Sequence, residues 1–213
     1  MEFETEEQQV EALKKWWKEN GKQIVFGAVV GIGAIVGWKG YVDYSASQTA
    51  QASALFEQVI KDTAGGSESN KSAVFEKIKK QYSGTPYYSA SGLVVAKSYY
   101  DEGKKEQAIN VLNELILDNS NDVITIVAIE RKARILIDLG KAEDAIKTLS
   151  IDVGESFKAI FEELKGDAYV SLGRQVDARA AYDKALLLDQ ASGNKLLQMK
   201  RDNLGESKVE PAA

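Results

Sequence analysis

A chain of 213 residues has room for one domain and an additional segment. With 44% hydrophobic and 28% charged residues it has the composition of a folded protein, and its formal charge of -5 offers no basic field to a nucleic acid. Histidine and cysteine are both absent, which excludes Cys/His zinc sites, thiol nucleophiles, disulfides and Ser-His-Asp hydrolysis, so neither a catalytic residue nor a cofactor is expected.

Residues 1–22 read as a short polar segment carrying an amphipathic helix. Val10, Leu13, Trp16 and Trp17 share one face with lysines opposite, the pattern of a helix lying at a membrane surface. Residues 23–42 read as a transmembrane anchor. From Ile24 to Trp38 the run IVFGAVVGIGAIVGW has no charged side chain. Fifteen helical residues cover about 22 Å, and Lys22, Lys39, Tyr41 and Val42 extend the span toward the roughly 30 Å hydrocarbon core. Trp16 and Trp17 on one side, and Trp38, Tyr41 and Tyr44 on the other, form interfacial aromatic belts.

A buried core helix of a soluble protein is the competing reading of this run. Against it stand Gly27, Gly31, Gly33 and Gly37, each costing about 1 kcal/mol in a water-soluble helix. In a membrane helix the same glycines make small-xxx-small contact faces for a partner helix. A cleavable signal peptide fits no better: Glu2, Glu4, Glu6, Glu7 and Glu11 are among the residues that precede the run, and it ends in Trp38-Lys39 instead of small residues. A dinucleotide-binding loop is dismissed because no strand-turn-helix context surrounds the glycines. Lys14, Lys15, Lys18 and Lys22 precede the span, whereas Lys39 alone follows it until Lys61. That bias predicts a cytoplasmic N-terminus and an extracytoplasmic C-terminal part.

Residues 43–204 change to amphipathic helices separated by short breaks, legible at Gly65-Gly66, Gly84 to Pro86, Gly103, residues 119–121, Gly140, Gly154, Gly173 and Gly193. The fold class is all-α. Aligning YYDEGKKEQAINVL, DLGKAEDAIKTL and SLGRQVDARAAY exposes a repeat, with Gly103, Gly140 and Gly173 recurring at 37 and 33 residues. Seven residues before each glycine stand Ala96, Ala133 and Gly166, and four before it Tyr99, Leu136 and Tyr169. Five residues after it come Ala108, Ala145 and Ala178, and nine after it Leu112, Leu149 and Tyr182. The small residues let two antiparallel helices approach, the glycine ends the first helix with positive φ, and the large residue fills the seam. The middle copy is weaker, because Gly154 interrupts its second helix. An earlier pair, residues 46–64 and 73–82, reads as a degenerate repeat, residues 194–204 as a capping helix, and residues 205–213 as a disordered tail.

This pattern resembles the tetratricopeptide repeat, with Gly166, Tyr169, Gly173, Ala178, Tyr182, Ala185 and Leu186 where that motif expects them. The chain is therefore expected to be a single transmembrane helix followed by a tetratricopeptide-like α-solenoid. VEALKKWWKENGK, GIGAIVGW and ELKGDAYVSLGRQVDARAAY together resemble the YfgM family, ancillary subunits of the SecYEG translocon in Gram-negative bacteria. The resemblance implies a single-pass protein of the inner membrane with its repeat domain in the periplasm. Its implied partners are SecYEG, the membrane-anchored foldase PpiD and translocating or unfolded proteins, which it would pass to periplasmic chaperones.

Repeat domains of this kind line a concave face with the first helix of each pair. The positions turned that way are Leu93, Lys97, Tyr100 and Asp101, then Glu130, Arg134, Ile137 and Asp138, then Glu163, Asp167, Val170 and Ser171. They form either a protein-binding groove or ordinary solvated helix faces, and the fold alone does not choose. Tyr87, Tyr88, Tyr99 and Tyr100 have the helical spacing of packing residues, although tyrosine also favours interfaces. Glu162 and Glu163 could in principle do acid-base work, but adjacent helical residues point in different directions, which favours a solvated face. Two functions compete: an extracytoplasmic adaptor of a membrane complex, with a second copy of itself among its candidate partners, and a regulatory anchor acting through its cytoplasmic N-terminal segment.

Overall fold

The computed structural model describes residues 6–65, 68–118, 122–189 and 193–205. Among these every regular element is an α-helix: α1 Glu6–Ala64, α2 Glu68–Tyr82, α3 Pro86–Asp101, α4 Lys105–Asp118, α5 Asp122–Asp138, α6 Ala142–Thr148, α7 Glu155–Ser171, α8 Gln175–Leu188 and α9 Lys195–Asp202. The chain divides into two compact units, Met1–Gln51 and Ala52–Ala213. The breaks expected at Gly66 and residues 119–121 lie outside the described residues, as does the tail from residue 206 onward.

The first unit is helical wherever it is described. No proline interrupts it, and α1 passes from the polar segment into the apolar run without a break. The turn around Asn20 and Gly21, a weak point by propensity, is braced from both sides. Asn20 Nδ2 donates to the Trp16 carbonyl at 3.0 Å, and the Trp17 indole packs over Gly21. A separate surface helix ahead of the span was the sequence expectation; the structure instead has one continuous helix. Its apolar residues are exposed, Phe26 at 72% and Ile35 at 70%. A core helix would bury them. Among the described residues this is one helix long and apolar enough to cross a membrane.

In the second unit the helices pair as the repeat requires. The three glycines that end α3, α5 and α7 have φ of 76°, 72° and 70°, a region open to glycine at little cost. Each turn has the same two hydrogen bonds. Gly103 N donates to the Tyr100 carbonyl and Lys104 N to the Tyr99 carbonyl, with Gly140, Lys141 and Gly173, Arg174 repeating the pattern. This is the Schellman arrangement, in which Tyr99, Leu136 and Tyr169 each supply the carbonyl that accepts the wider, six-to-one bond. The residue after each glycine opens the next helix, its carbonyl accepting from Ala108, Ala145 or Ala178.

The repeat positions form the core. Ala96, Ala133, Ala108, Ala145, Ala178, Leu112, Leu149 and Tyr182 are all buried, as is Gly166. The crossing of α7 and α8 is closest. A Cβ at Gly166 would lie 2.3 Å from Tyr182 Cε1, so only glycine fits beneath the ring. In the α3–α4 pair Gly92 plays that part against Leu115, at 2.7 Å. The middle pair is shortened as expected, but the break comes earlier than Gly154. Helix α6 stops at Thr148, and Gly154 stands instead at the N-cap of α7.

The last turns of α1 join the domain. Ala52 and Val59 are fully buried, and the rings of Phe56 and Tyr87 approach to 5.6 Å. Helix α2 packs on α3 and is pinned by Lys71, which is fully buried. The Lys71 ammonium pairs with Glu102, donates to Ser98 Oγ at 2.8 Å and lies 4.8 Å from the Tyr99 ring centre. At the far end α9 packs on α8, and its first turn is capped by Asn194 Oδ1 accepting from Leu197 N.

Candidate functional site

The first helices of successive pairs, α3, α5 and α7, lie side by side, and a groove of about 460 Å³ opens between α3 and α5. Its floor is apolar: Ala96, Leu112 and Ile135. Its walls are polar: Lys97, Tyr100 and Asp101 from α3, and Glu130, Arg131 and Arg134 from α5. Five of the positions singled out from the sequence, Lys97, Tyr100, Asp101, Glu130 and Arg134, therefore line one groove. Leu93 lies in a second depression of about 730 Å³, which shares Lys97, Asp101 and Arg131 and is walled by Phe56 and Ile60 of α1.

Four of the groove's charges are already paired with one another. Lys97 meets Asp101 at 2.5 Å and Arg134 meets Glu130 at 2.6 Å, each one turn along its own helix. Across the helices, Tyr100 donates to Asp138 Oδ2 at 3.1 Å, and Lys105 meets the same carboxylate at 2.7 Å. Hydrogen bonds from Lys105 and then Tyr100 hold Asp138 below the usual carboxylate range, and the bond to Asp138 raises both partners. Each shift moves its group further from pH 7, so this charge pattern is fixed. Ile137 is half-buried against the core formed by α5, α6 and α7.

The α7 positions do different work. Glu163 and Asp167 both accept from Lys200 of α9, at 2.7 and 2.9 Å, and Asp167 also accepts from the Tyr182 hydroxyl at 2.7 Å. Burial opposes the charge on Lys200, yet the bonds to Glu163 and Asp167 keep its pKa above the ordinary value. Burial first, then Asp167, pushes the Tyr182 hydroxyl up. Glu163 and Asp167 thus anchor the terminal helix, leaving Val170 and Ser171 exposed at the end of α7. Of the four tyrosines, Tyr88 and Tyr99 are buried, Tyr87 is half-buried and Tyr100 is exposed.

Sequence reasoning missed Arg131, Lys200, Phe56 and Ile60. Arg131 lines both depressions and donates from Nη1 to the Leu93 carbonyl at 3.2 Å, tying α5 to α3. A signal was present: the other copies carry Val94 and Leu164 at the equivalent place. An arginine in an apolar repeat position marks a local departure from pure packing.

Stacked helical hairpins with glycine-closed turns and a groove between first helices define a tetratricopeptide-like domain protein. In agreement, a family model described as tetratricopeptide repeat-like domain matches residues 14–206. Among known proteins the chain is similar to the ancillary SecYEG translocon subunit of Haemophilus influenzae, 34% identical over 93% of this chain and 97% of that protein. It is 30% identical to the protein of that name in Escherichia coli K12, over 95% and 98%. The gonococcal protein of that name, from Neisseria gonorrhoeae, is 24% identical over 93% and 97%. The chain belongs to the family of ancillary SecYEG translocon subunits.

Proposed function

We propose that this chain is a single-pass inner-membrane protein with a cytoplasmic N-terminus, associated with the SecYEG translocon, whose periplasmic repeat domain receives segments of translocating proteins. The observation that carries this reading is similarity, over nearly the full length of both chains, to proteins named ancillary SecYEG translocon subunit. The exposed apolar helix supports anchoring, and the lysines ahead of it support the orientation. The family resemblance adds PpiD as a neighbour and periplasmic chaperones as recipients of the released protein.

The α3–α5 groove suits transient holding better than tight, sequence-specific capture. Its Lys97–Asp101 pair is exposed, its Glu130–Arg134 pair is half-exposed and both are satisfied, so an arriving charged group gains little net energy by displacing them. Its apolar floor offers burial to one or two side chains of any aliphatic or aromatic type. Such a surface discriminates weakly and releases readily, as handing on many different clients requires.

Two experiments test this. A reporter fused after Ala213 should be active outside the cytoplasm, and a signal confined to the cytoplasm would overturn the orientation and with it the periplasmic role. A photo-cross-linking amino acid at Tyr100 should capture translocating clients, while one at the exposed Lys147 on α6 should not. Capture at Lys147 alone would remove the groove from the account.

A further inference from the structure

The N-terminal end of the apolar helix carries a feature that the repeat domain does not use. The Trp17 indole lies over Gly21 so closely that a Cβ at Gly21 would sit 3.2 Å from its Cε2 and Nε1 atoms. Gly21 is buried by that ring, while residues 22–47 that follow it along the helix are exposed. Beside the indole runs a groove of about 520 Å³, lined below Gly21 by Val25, Phe26 and Val29, with Lys22 at its mouth.

Because α1 is unbroken here, helical periodicity decides what stands above that groove. At about 100° per residue, Lys14, Lys18 and Lys22 follow one another up the same face as Gly21, Val25 and Val29. The three ammonium groups climb about 12 Å of helix, and the aliphatic groove descends about 10 Å on the other side of Lys22. Glu11 lies on this face one turn beyond Lys14, and Glu19 lies off it. Over residues 8–22 four lysines stand against those two glutamates. Lys14, Lys18 and Lys22 form no ion pair with any described residue. Cations, then an indole at the interface, then a slot between aliphatic and aromatic side chains match one molecule end to end: a phosphate headgroup with an acyl chain beneath it.

We propose that the Trp17–Phe26 groove, topped by Lys14, Lys18 and Lys22, is a binding site for an anionic phospholipid of the leaflet that the N-terminal segment meets. The site rests on the membrane-spanning reading of α1. Gly21 lets the indole that forms one wall lie close to the helix: a Cβ there would press on the ring at 3.2 Å, and a long side chain would occupy the space beside it. The lysines attract the headgroup, and the groove makes the attraction a site instead of a diffuse field.

The test uses the full chain with Trp16→Phe and Trp38→Phe, which leaves Trp17 as its one tryptophan. It is placed in vesicles of phosphatidylcholine with phosphatidylglycerol as the minor lipid, bromine being carried high on the acyl chains of one lipid or the other. At equal mole fraction, brominated phosphatidylglycerol should quench Trp17 more than brominated phosphatidylcholine, by an enrichment of about fivefold for each lysine engaged. That excess should vanish in Lys14→Gln/Lys18→Gln/Lys22→Gln and fall sharply in Gly21→Leu, which keeps every charge and fills the groove. Equal quenching by the two lipids overturns the proposal and leaves the groove to a partner helix or a second copy. An excess that survives Gly21→Leu also overturns it, since diffuse attraction by the lysines then suffices. If neither lipid quenches Trp17, the membrane-spanning reading fails together with the site.

Discussion

A single methyl group at Gly166 should unseat the C-terminal end of the repeat domain. In Gly166→Ala the new Cβ would lie 2.3 and 2.4 Å from two Tyr182 ring carbons, so the ring has to move. Tyr182 is 2% exposed, and overpacking a buried ring in this way costs about 1–3 kcal/mol. Displacing the ring also breaks the hydroxyl's 2.7 Å hydrogen bond to Asp167, worth about 1.5–3 kcal/mol because the acceptor is charged. Replacing a helical glycine by alanine returns about 1 kcal/mol. The net loss is about 3 kcal/mol, which lowers the melting midpoint of a domain this size by about 6–12 °C. Thermal unfolding of the fragment from residue 43 onward, followed by circular dichroism, measures it. Gly92→Ala is the internal comparison: its Cβ would approach Leu115 to 2.7 Å instead of 2.3 Å, and the leucine has no hydrogen bond to lose, so the loss should be smaller. Gly27→Ala, in the intact chain, meets nothing within 4 Å and should leave the domain's melting unchanged. An unaltered or raised midpoint in Gly166→Ala would refute the close crossing of α7 and α8.

Other expectations follow from the same structure. Ala178→Leu should overpack that crossing from the other helix and cost about 1–3 kcal/mol in the same melts; no change would mean that Ala178 is exposed and the register wrong. Lys200→Met leaves Glu163 and Asp167 without their shared cation, so amides of α9 should exchange with solvent faster while those of α3 stay protected; equal rates in α9 would show that the ion pairs do not hold it. Lys71, Lys104 and Ser98 together hold the Glu102 carboxyl down to about 2, with Lys71 the largest cause. A depressed carboxyl stabilises above its unfolded pKa, and the contribution is lost as pH falls through the folded value. The melting midpoint should thus decline between about pH 5 and pH 2. Glu102→Gln should melt lower at pH 7, where it strands the buried Lys71, and decline less steeply in acid; a parallel decline would contradict that role.

What was legible in the sequence is what repeats with local physical cause. A helix that must turn back within two residues needs a residue at positive φ, so Gly103, Gly140 and Gly173 announced three hairpins. Backbones that cross closely need small residues, so the alanines and Gly166 fixed which faces are buried. Five groove positions followed from the same register. The rest depends on long, flexible side chains reaching across the fold, where no period records the partner. Lys200 lies 33 residues from Asp167, and Lys71 lies 31 from Glu102. Arg131 is one more charge on a helix in the sequence, and only the fold brings it to the Leu93 carbonyl. The continuity of α1 was hidden for the opposite reason. Composition changes sharply around residues 22 and 43, but a change of solvent need not interrupt a backbone that no proline or cap stops.

Association with the translocon is the claim on which the functional account stands, and co-purification tests it most directly. The intact chain, tagged after Ala213 and extracted from its own membranes in mild detergent, should recover the SecYEG channel well above an unrelated single-pass control carrying the same tag. Recovery no greater than that control's, in extracts where the channel remains intact and abundant, would contradict the account.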